Sequence, residues 1–375
     1  MKPPRFRHAL VIGKFYPPHN GHLHLIETAA TFSDWVTVVV LGASVESLGI
    51  EERVAWMRQD LGERIHVRVE GILDDFPVDY ADASVWEGHI GLMRQAVILA
   101  DKRKPFPPLD AVFSSEKYGV EMGARLGVQA IVLDPERSTV PVSGTRVREN
   151  LVDNWEQLPA GTRSGLCLRV VVLGAESTGT TTLCGDLSAA VRARGGIWER
   201  TMWVPEYGRD YSGALVSLVE QACPGVMPEN IEWSEEDFLV IAREQTLREN
   251  KAAAIGSPYL VLDTDALATL VWHERYRHAS SARLAEFVAT LPRRDIYVIT
   301  SPDGVAFEQD GLRDGEHLRL SMHERFREVV SESGNPWMEA TGSRPERVRR
   351  VLDRLDALSR SRWNFTPPLL EKNKP

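Results

Sequence analysis

Gly13-Lys14-Phe15-Tyr16-Pro17-Pro18-His19-Asn20-Gly21-His22 joins the apolar run Ala9-Leu10-Val11-Ile12 to Leu23, Ile26, Ala29 and Ala30 at helical spacing. The stretch is a strand-to-helix turn. Pro17-Pro18 can extend neither a sheet nor a helix and so stiffens it, while Gly21 lets a ligand come close to the backbone. His19 and His22 fall at the helix start, where free N–H groups and the dipole favour an anion. Together these features read as a phosphate site. Two other readings compete: a Pro-rich turn that carries surface histidines, and a metal cluster of His19, His22 and His24. No acidic residue or Cys at zinc-site spacing accompanies the three imidazoles.

Outward from this turn, Val36 to Leu41 is a second buried strand ending at Gly42, which closes a right-handed βαβ unit. Ligands of open α/β sheets bind at the carboxyl ends of strands, where the His19/His22 turn lies. After the loop from Gly42 to Ile50, Glu51-Glu52-Arg53 with Trp56 and Met57 opens a helix. Arg53 is read either as a phosphate contact or as part of a solvated face. Asp74 to Pro77 is a polar loop, Val85 to Leu99 a long helix, and Asp110 to Phe113 a strand leaving through Ser114-Ser115-Glu116. Ala130 to Asp134 is a further strand. Val142-Ser143-Gly144-Thr145-Arg146-Val147-Arg148 then reads as a loop entering a helix with two guanidiniums in its first turn, a placement that opposes the dipole and calls for a bound anion.

The connector 150–166 holds Pro159, Gly161, Ser164 and Gly165 with little periodicity, and the domain boundary is expected there. The divisions read from this are 1–160, 167–360 and a mobile tail at 361–375. Leu168 to Leu173 is a buried strand followed by Gly174-Ala175-Glu176-Ser177-Thr178-Gly179-Thr180-Thr181, similar to a phosphate-binding P-loop with Thr181 at the position that holds Mg²⁺. Thr180 stands where such a loop has Lys. Downstream come Glu206 and Arg209 in Glu206-Tyr207-Gly208-Arg209, a helix over 235–251, and a strand from Tyr259 ending in Asp263 and Asp265. Asp295 to Thr300 is a strand, and Asp310-Gly311-Leu312-Arg313-Asp314 is a charged loop suited to bringing Arg313 to a transferred phosphate.

The chain has 375 residues, which favours two domains, and its formal net charge of -9 argues against coating a nucleic acid. A hydrophobic content of 43% supports globular packing. Three cysteines, Cys167, Cys184 and Cys223, suit neither a disulfide framework nor a Cys-rich metal site, and a reducing cytoplasm fits. The basic N-terminus lacks a signal-peptide pattern, and no apolar stretch reaches about 18 residues.

The turn at His19-Asn20-Gly21-His22 resembles the His-x-Gly-His signature of the nucleotidyltransferase superfamily. The order of that motif, Ser114-Ser115-Glu116, Ser143-x-Thr145-x-x-Arg148, the P-loop, Glu206-Tyr207-Gly208-Arg209, Asp263-Thr264-Asp265 and Asp310-Gly311-Leu312-Arg313 is similar, over nearly the whole chain, to the bifunctional NadR family. The resemblance implies two doubly wound parallel-sheet α/β domains, a Rossmann-like nucleotidyltransferase and a P-loop kinase-like domain. It implies transfer of AMP from ATP to nicotinamide mononucleotide, giving NAD and pyrophosphate, with Mg²⁺ bridging phosphate oxygens. His19, His22 and Lys14 then act on the reacting phosphates, and Gly13, Phe15, Gly21, Ser143, Thr145 and Arg148 hold ATP. In the second domain, Gly174, Ser177, Thr178, Gly179, Thr180, Thr181 and Arg313 face phosphates, Thr181 and Asp263 hold Mg²⁺, and Glu206, Arg209, Asp263 and Asp265 serve a ribosylnicotinamide kinase. Thr180 weakens that kinase expectation. Because the first strand starts within the first dozen residues, the helix-turn-helix module of some members is not expected. Transfer to another phosphorylated acceptor, such as a pantetheine or flavin phosphate, and a nucleotide-sensing binding protein are the alternatives. A homo-oligomer is compatible with the sequence.

Overall fold

In the computed structural model the described residues are 5–62, 64–101, 105–224, 232–292, 294–307 and 316–372. They fall into two compact units, Met1–Gly165 together with Arg362–Pro375, and Leu166–Ser361. No helix among the described residues is long and apolar enough to cross a membrane.

The first unit runs β1 (Phe6–Gly13), α1 (Asn20–Phe32), β2 (Ser33–Gly42), α2 (Ile50–Leu61), β3 (Val67–Leu73), β4 (Val78–Asp79), α3 (Ala83–Asp101), β5 (Ala111–Ser114), α4 (Tyr118–Leu126), β6 (Gln129–Val132), α5 (Gly144–Glu149) and α6 (Ala160–Leu166). Its sheet has the order β3-β2-β1-β5-β6, every pair parallel. The near-continuous apolar run of β1 follows from burial on both faces. Ala9 and Val11 pack with Leu25, Ile26 and Met57, whereas Leu10 and Ile12 pack with Trp86, Ile90 and Met93. Strand order reverses at β1, between β2 and β5, which leaves a crevice at the carboxyl ends.

Two expectations change here. Arg53 is neither a phosphate contact nor solvated: its Nη2 meets Glu46 at 2.9 Å with both side chains fully buried, and its Nη1 donates to the Lys14 carbonyl at 2.7 Å. A buried guanidinium needs that carboxylate and those carbonyls, and so it fixes the turn after β1 from below. The division between the units, at Gly165/Leu166, falls within the expected connector 150–166, but the end of that connector is a docked helix, α6. In α6 the Gly161 N–H donates to Asp60 at 2.5 Å, and Gly161 and Gly165 lie where a Cβ would come within 2.6 Å and 2.0 Å of Trp56 atoms. These glycines are there for close helix packing.

The chain also returns to the first unit at its end. Beyond Arg362 the described residues rejoin it through β12 (Glu371–Lys372), which pairs in parallel with β4. Within the stretch expected as a mobile tail, Glu371 and Lys372 thus form a two-stranded sheet with β4, separate from both five-stranded sheets.

The second unit contains β7 (Leu168–Leu173), α7 (Thr180–Arg192), β8 (Met202–Val204), α8 (Tyr207–Ala222), α9 (Glu235–Ile255), β9 (Tyr259–Asp263), α10 (Ala266–Arg277), α11 (Ala282–Ala289), β10 (Ile296–Thr300), α12 (Arg319–Glu332), β11 (Trp337–Ala340) and α13 (Arg344–Arg362). Its sheet order is β11-β10-β7-β9-β8, again all parallel. The two doubly wound α/β units expected from the sequence are therefore present.

Asp265 departs from its expected place beside a substrate. Its Oδ1 accepts from the N–H of Leu267 at the start of α10, and its Oδ2 meets Arg294 Nε at 2.9 Å and the Tyr297 hydroxyl at 2.8 Å. Arg294 also binds Glu249 at 2.7 Å. Asp265 is thus a buried helix cap that neutralises a buried guanidinium.

Packing of α6 on α2 yields a prediction. Gly165→Ala forces a methyl into the Trp56 ring and should lower the stability of the first unit by about 1–3 kcal/mol, the usual range for overpacking. Denaturant unfolding followed by Trp fluorescence checks this; an unchanged midpoint means that α6 is not docked.

Candidate functional site

A cavity of about 620 Å³ opens at the carboxyl ends of the first sheet, lined on one side by the turn after β1. His19 is the N-cap of α1, with extended φ -144 and ψ 168. Its backbone N–H donates to His22 Nδ1 at 3.2 Å, so the proton of the neutral His22 ring sits on Nε2 as a donor. The two rings stack with centroids 3.6 Å apart, and Phe15 meets His22 edge-on at 4.7 Å. Gly21 makes this possible, since a Cβ there would lie 3.2 Å from the His19 ring and 3.3 Å from Val142. At Gly13 a Cβ would likewise press the Phe15 ring, at 3.3 Å.

Burial lowers the His19 pKa from 6.5 to about 3, helped by the guanidiniums of Arg137 and Arg148. His22 is lowered well below its ordinary value by burial, then by His19 and Arg137. His19 Nδ1 is buried without a hydrogen-bond partner. Both rings are therefore neutral at pH 7, next to two permanent cations. Face-to-face stacking does not suit a shared metal, and no cluster of three or more His, Cys, Asp or Glu able to hold one occurs among the described residues.

Arg148 Nη1 donates to the Tyr16 carbonyl at 2.6 Å and its Nη2 to Thr145 Oγ1 at 3.3 Å. Ser143 caps α5, its Oγ accepting from the Arg146 N–H at 3.3 Å. Because α5 has only six residues, Arg146 and Arg148 lie in its last turn, where the dipole favours cations. This corrects the expected first-turn placement: Arg146 goes to the Pro141 carbonyl, and Arg148 alone reaches the cavity. Lys14 lines the same cavity.

Sequence reasoning missed Arg137. It sits at φ 52 in a loop organised by Asp134, whose carboxylate accepts from the Ser138 hydroxyl at 2.7 Å and from the Ser138 and Thr139 N–H groups, which hold its pKa at about 2. Arg137 Nη2 meets Glu116 at 3.1 Å, which gives Ser114-Ser115-Glu116 its part in the site. Asp134 with Ser138 four residues on was the available signal. The opposite half of the cavity is aromatic and acidic. Tyr80 lies 5.9 Å from both Trp86 and Tyr118, and Trp86 Nε1 donates to the Tyr80 carbonyl at 3.0 Å. His89 meets Asp74 at 2.6 Å; burial opposes its charging, but Asp74 outweighs this and its pKa is raised.

In the second unit a cavity of about 1540 Å³ is lined by the whole P-loop from Gly174 to Thr181. Ser177 and Gly179 take the left-handed values φ 59 and φ 86 that curl the loop. Gly174 has no room for a side chain, as a Cβ would be 2.3 Å from Thr300 Oγ1. Thr178 Oγ1 bonds Thr300 Oγ1 at 2.6 Å and donates to the Ala175 carbonyl. Thr181 Oγ1 donates to Asp263 at 2.7 Å. Burial raises the Asp263 pKa against hydrogen bonds from Thr181 and Thr180, so the Thr180 hydroxyl, at the usual lysine position, is also turned to Asp263.

Glu206 and Arg209 line this cavity 3.5 Å apart, and burial followed by the Asp263 charge pushes Glu206 up to about 7. Two arginines that the sequence did not flag brace the loop: Arg347 donates to the Thr178 carbonyl at 3.1 Å and Arg319 to that of Ser177 at 2.7 Å. Trp233, Trp272 and Tyr276 form an aromatic wall. Arg313 and the loop around it lie outside the described residues.

Comparison with known proteins agrees with this division. An AAA-domain family model matches residues 169–347. The trifunctional NAD biosynthesis/regulator protein NadR of Salmonella typhimurium is 25% identical over 320 residues, 81% of this chain and 71% of that protein, and the chain is homologous to it. A nicotinamide-nucleotide adenylyltransferase of Aeropyrum pernix is 30% identical over 161 residues, 39% of this chain and 82% of that protein. A crystal structure of NadR protein in complex with NAD and AMP-PNP shares the fold, with TM-score 0.61, 20% identity, and coverage of 96% of this chain and 98% of that one.

The depressed imidazole pKa generates a prediction. On folding, the His19 pKa falls from 6.5 to about 3, so between those values the unfolded chain binds more protons. Its contribution is present above pH 6.5 and is lost as pH falls toward 3, amounting to about 2 kcal/mol by about pH 5. Replacing His19 by Asn should flatten the fall in the first unit's unfolding midpoint between about pH 7.5 and 5. Equal pH slopes for the two proteins would mean that His19 is not buried neutral.

Proposed function

The chain belongs, through its N-terminal unit, to the nicotinamide-nucleotide adenylyltransferase family, and from that premise we propose that this unit transfers AMP from ATP to nicotinamide mononucleotide. A 5'-phosphate oxygen of the mononucleotide attacks the α-phosphorus of ATP, the new P–O bond forms, and the α,β-bridging bond breaks to release pyrophosphate. The observation that carries this reading is the stacked His19/His22 pair beside Arg137 and Arg148 in the cavity at the strand ends.

No group on the protein forms a covalent intermediate in this scheme, so rate comes from alignment and from charge stabilisation. The His22 Nε2 proton is a donor to an α-phosphate oxygen. His19, with an unpartnered Nδ1, takes a second position along the polyphosphate. Arg137, Arg148 and Lys14 supply permanent charge toward the β- and γ-phosphates, with Ser143 and Thr145 as hydroxyl contacts and Gly13, Phe15 and Gly21 shaping the approach. Neutral imidazoles suit the resting site, and incoming negative charge favours their protonation. The pyridinium ring of the mononucleotide is cationic, which suits Tyr80, Trp86 and Asp74 on the far side. The Mg²⁺ that accompanies ATP supplies charge neutralisation across its phosphates; in this unit it needs few protein ligands.

For the second unit we infer a P-loop nucleotide site whose kinase turnover on ribosylnicotinamide is weak. Thr181 and Asp263, 2.7 Å apart, fit as the hydroxyl and carboxylate that hold Mg²⁺ or its water. Glu206, with its pKa near 7, is placed as the base for an acceptor hydroxyl, and Arg209 as its neighbouring cation. Thr180 gives no charge to the transferred group. Arg347 and Arg319 do not replace it, since both donate to loop carbonyls.

Two measurements test these readings. His22→Ala should lower pyrophosphate release by about 10²–10³ while leaving the fold intact, the usual loss for one preorganised donor. Parental rates in that variant remove His22 from catalysis. Thr180→Lys should raise ribosylnicotinamide phosphorylation at least about tenfold, as a charge-assisted bond replaces a neutral one. Vigorous phosphorylation by the unmodified chain would instead point to Arg209 or Arg313 as the missing cation.

A further inference from the structure

The cavity of the first unit is not built from the first 165 residues alone. Pro367, Pro368, Leu369 and Leu370, which follow the second unit in the chain, line it as well. They are pinned at both ends. On one side the Tyr16 hydroxyl donates to the Thr366 carbonyl at 3.0 Å, the Thr366 N–H donates to Ser47 Oγ at 3.2 Å, and Thr366 Oγ1 donates to the Val45 carbonyl at 2.7 Å. On the other, Glu371 and Lys372 pair with Val78 and Asp79, and the Tyr80 N–H donates to the Lys372 carbonyl at 3.1 Å. Between these anchors two prolines keep the span extended and stiff.

The second anchor lies at the aromatic half of the cavity, since Tyr80 is the ring that neighbours Trp86 and Tyr118, while the first, Tyr16, belongs to the turn that carries His19. Leu370, at the mouth, is 84% exposed. An apolar side chain held open at the rim of an aromatic half-site is placed to be covered by a ligand.

We propose that residues 363–372 form a strap that builds the acceptor half of this cavity and sets its affinity for the mononucleotide. This rests on the adenylyltransferase reading of the same site. The strap's residues are positioning and specificity groups; none of them is placed at the reacting phosphorus. Rigid prolines preorganise the wall, so little ordering accompanies binding, and Leu369 with Leu370 supplies apolar surface to the cavity.

The test uses the full chain and a version ending at Arg362, with KM for each substrate and kcat measured separately. Removal of the strap should raise KM for the mononucleotide about tenfold or more, the scale of losing a buried Leu contact, and change KM for ATP by less than about threefold. A full-length variant with Leu369→Ser and Leu370→Ser keeps the backbone pairing and the Thr366 anchors, so it separates ligand contact from folding. It should show the same selective rise. An unchanged mononucleotide KM in both proteins, or an equal rise in both substrates' KM, overturns the strap while leaving the adenylyltransferase reading in place. If the parental chain makes no dinucleotide at all, that reading fails first and the strap's role goes with it.

Discussion

Two imidazole rings with centroids 3.6 Å apart cannot both hold a proton unless an anion lies against them, and the first unit is organised around that constraint. The stack exists because Gly21 leaves room for His19, because the His19 N–H is tied to His22 Nδ1, and because Phe15 closes the other face of His22. Phe15 is in turn held in a left-handed conformation by a turn whose Lys14 and Tyr16 carbonyls are bound by Arg53 and Arg148. Fixed guanidiniums thus shape the turn, and neutral imidazoles wait in it. In the proposed transfer, charge that arrives with a polyphosphate is met by groups already in position, which avoids reorganisation during the reaction.

The second unit solves the same electrostatic problem with its charges distributed differently. Arg347 and Arg319 brace the loop through its Thr178 and Ser177 carbonyls. The Thr180 and Thr181 hydroxyls at the start of α7 go to Asp263. A loop so arranged keeps its curvature and its Thr181–Asp263 pair without the lysine.

Most of the sheet framework was legible in the sequence because β1, β2, β7 and β9 are apolar runs bounded by Gly or Asp, and the turns from β1 to α1 and from β7 to α7 were legible because Gly, His and Thr sit at strand-to-helix junctions. What could not be read depended on partners distant in the chain. Asp263 and Asp265 look alike at the end of one strand, yet Arg294, 29 residues beyond, claims the second. Arg53 on an exposed-looking helix start is buried because Glu46 lies under it. Gly161 and Gly165 suggested a loose connector, since glycine serves turns and close helix contacts equally; only Trp56 distinguishes them. Arg137 owes its position to a positive φ and to Asp134, neither of which leaves a periodic trace.

The discontinuity of the first unit adds a further consequence. Its sheet and both imidazoles are complete by Gly165, but part of its cavity lining comes from Pro367, Pro368, Leu369 and Leu370, beyond Leu166–Ser361. Closing so long a loop is a modest entropic burden once the intervening unit is folded, because a compact unit brings its ends nearer than a random chain does. Both halves of the cavity draw on distant segments: Arg148 binds the carbonyl of Tyr16, 132 residues before it, and Pro367 to Leu370 line the cavity from beyond the second unit.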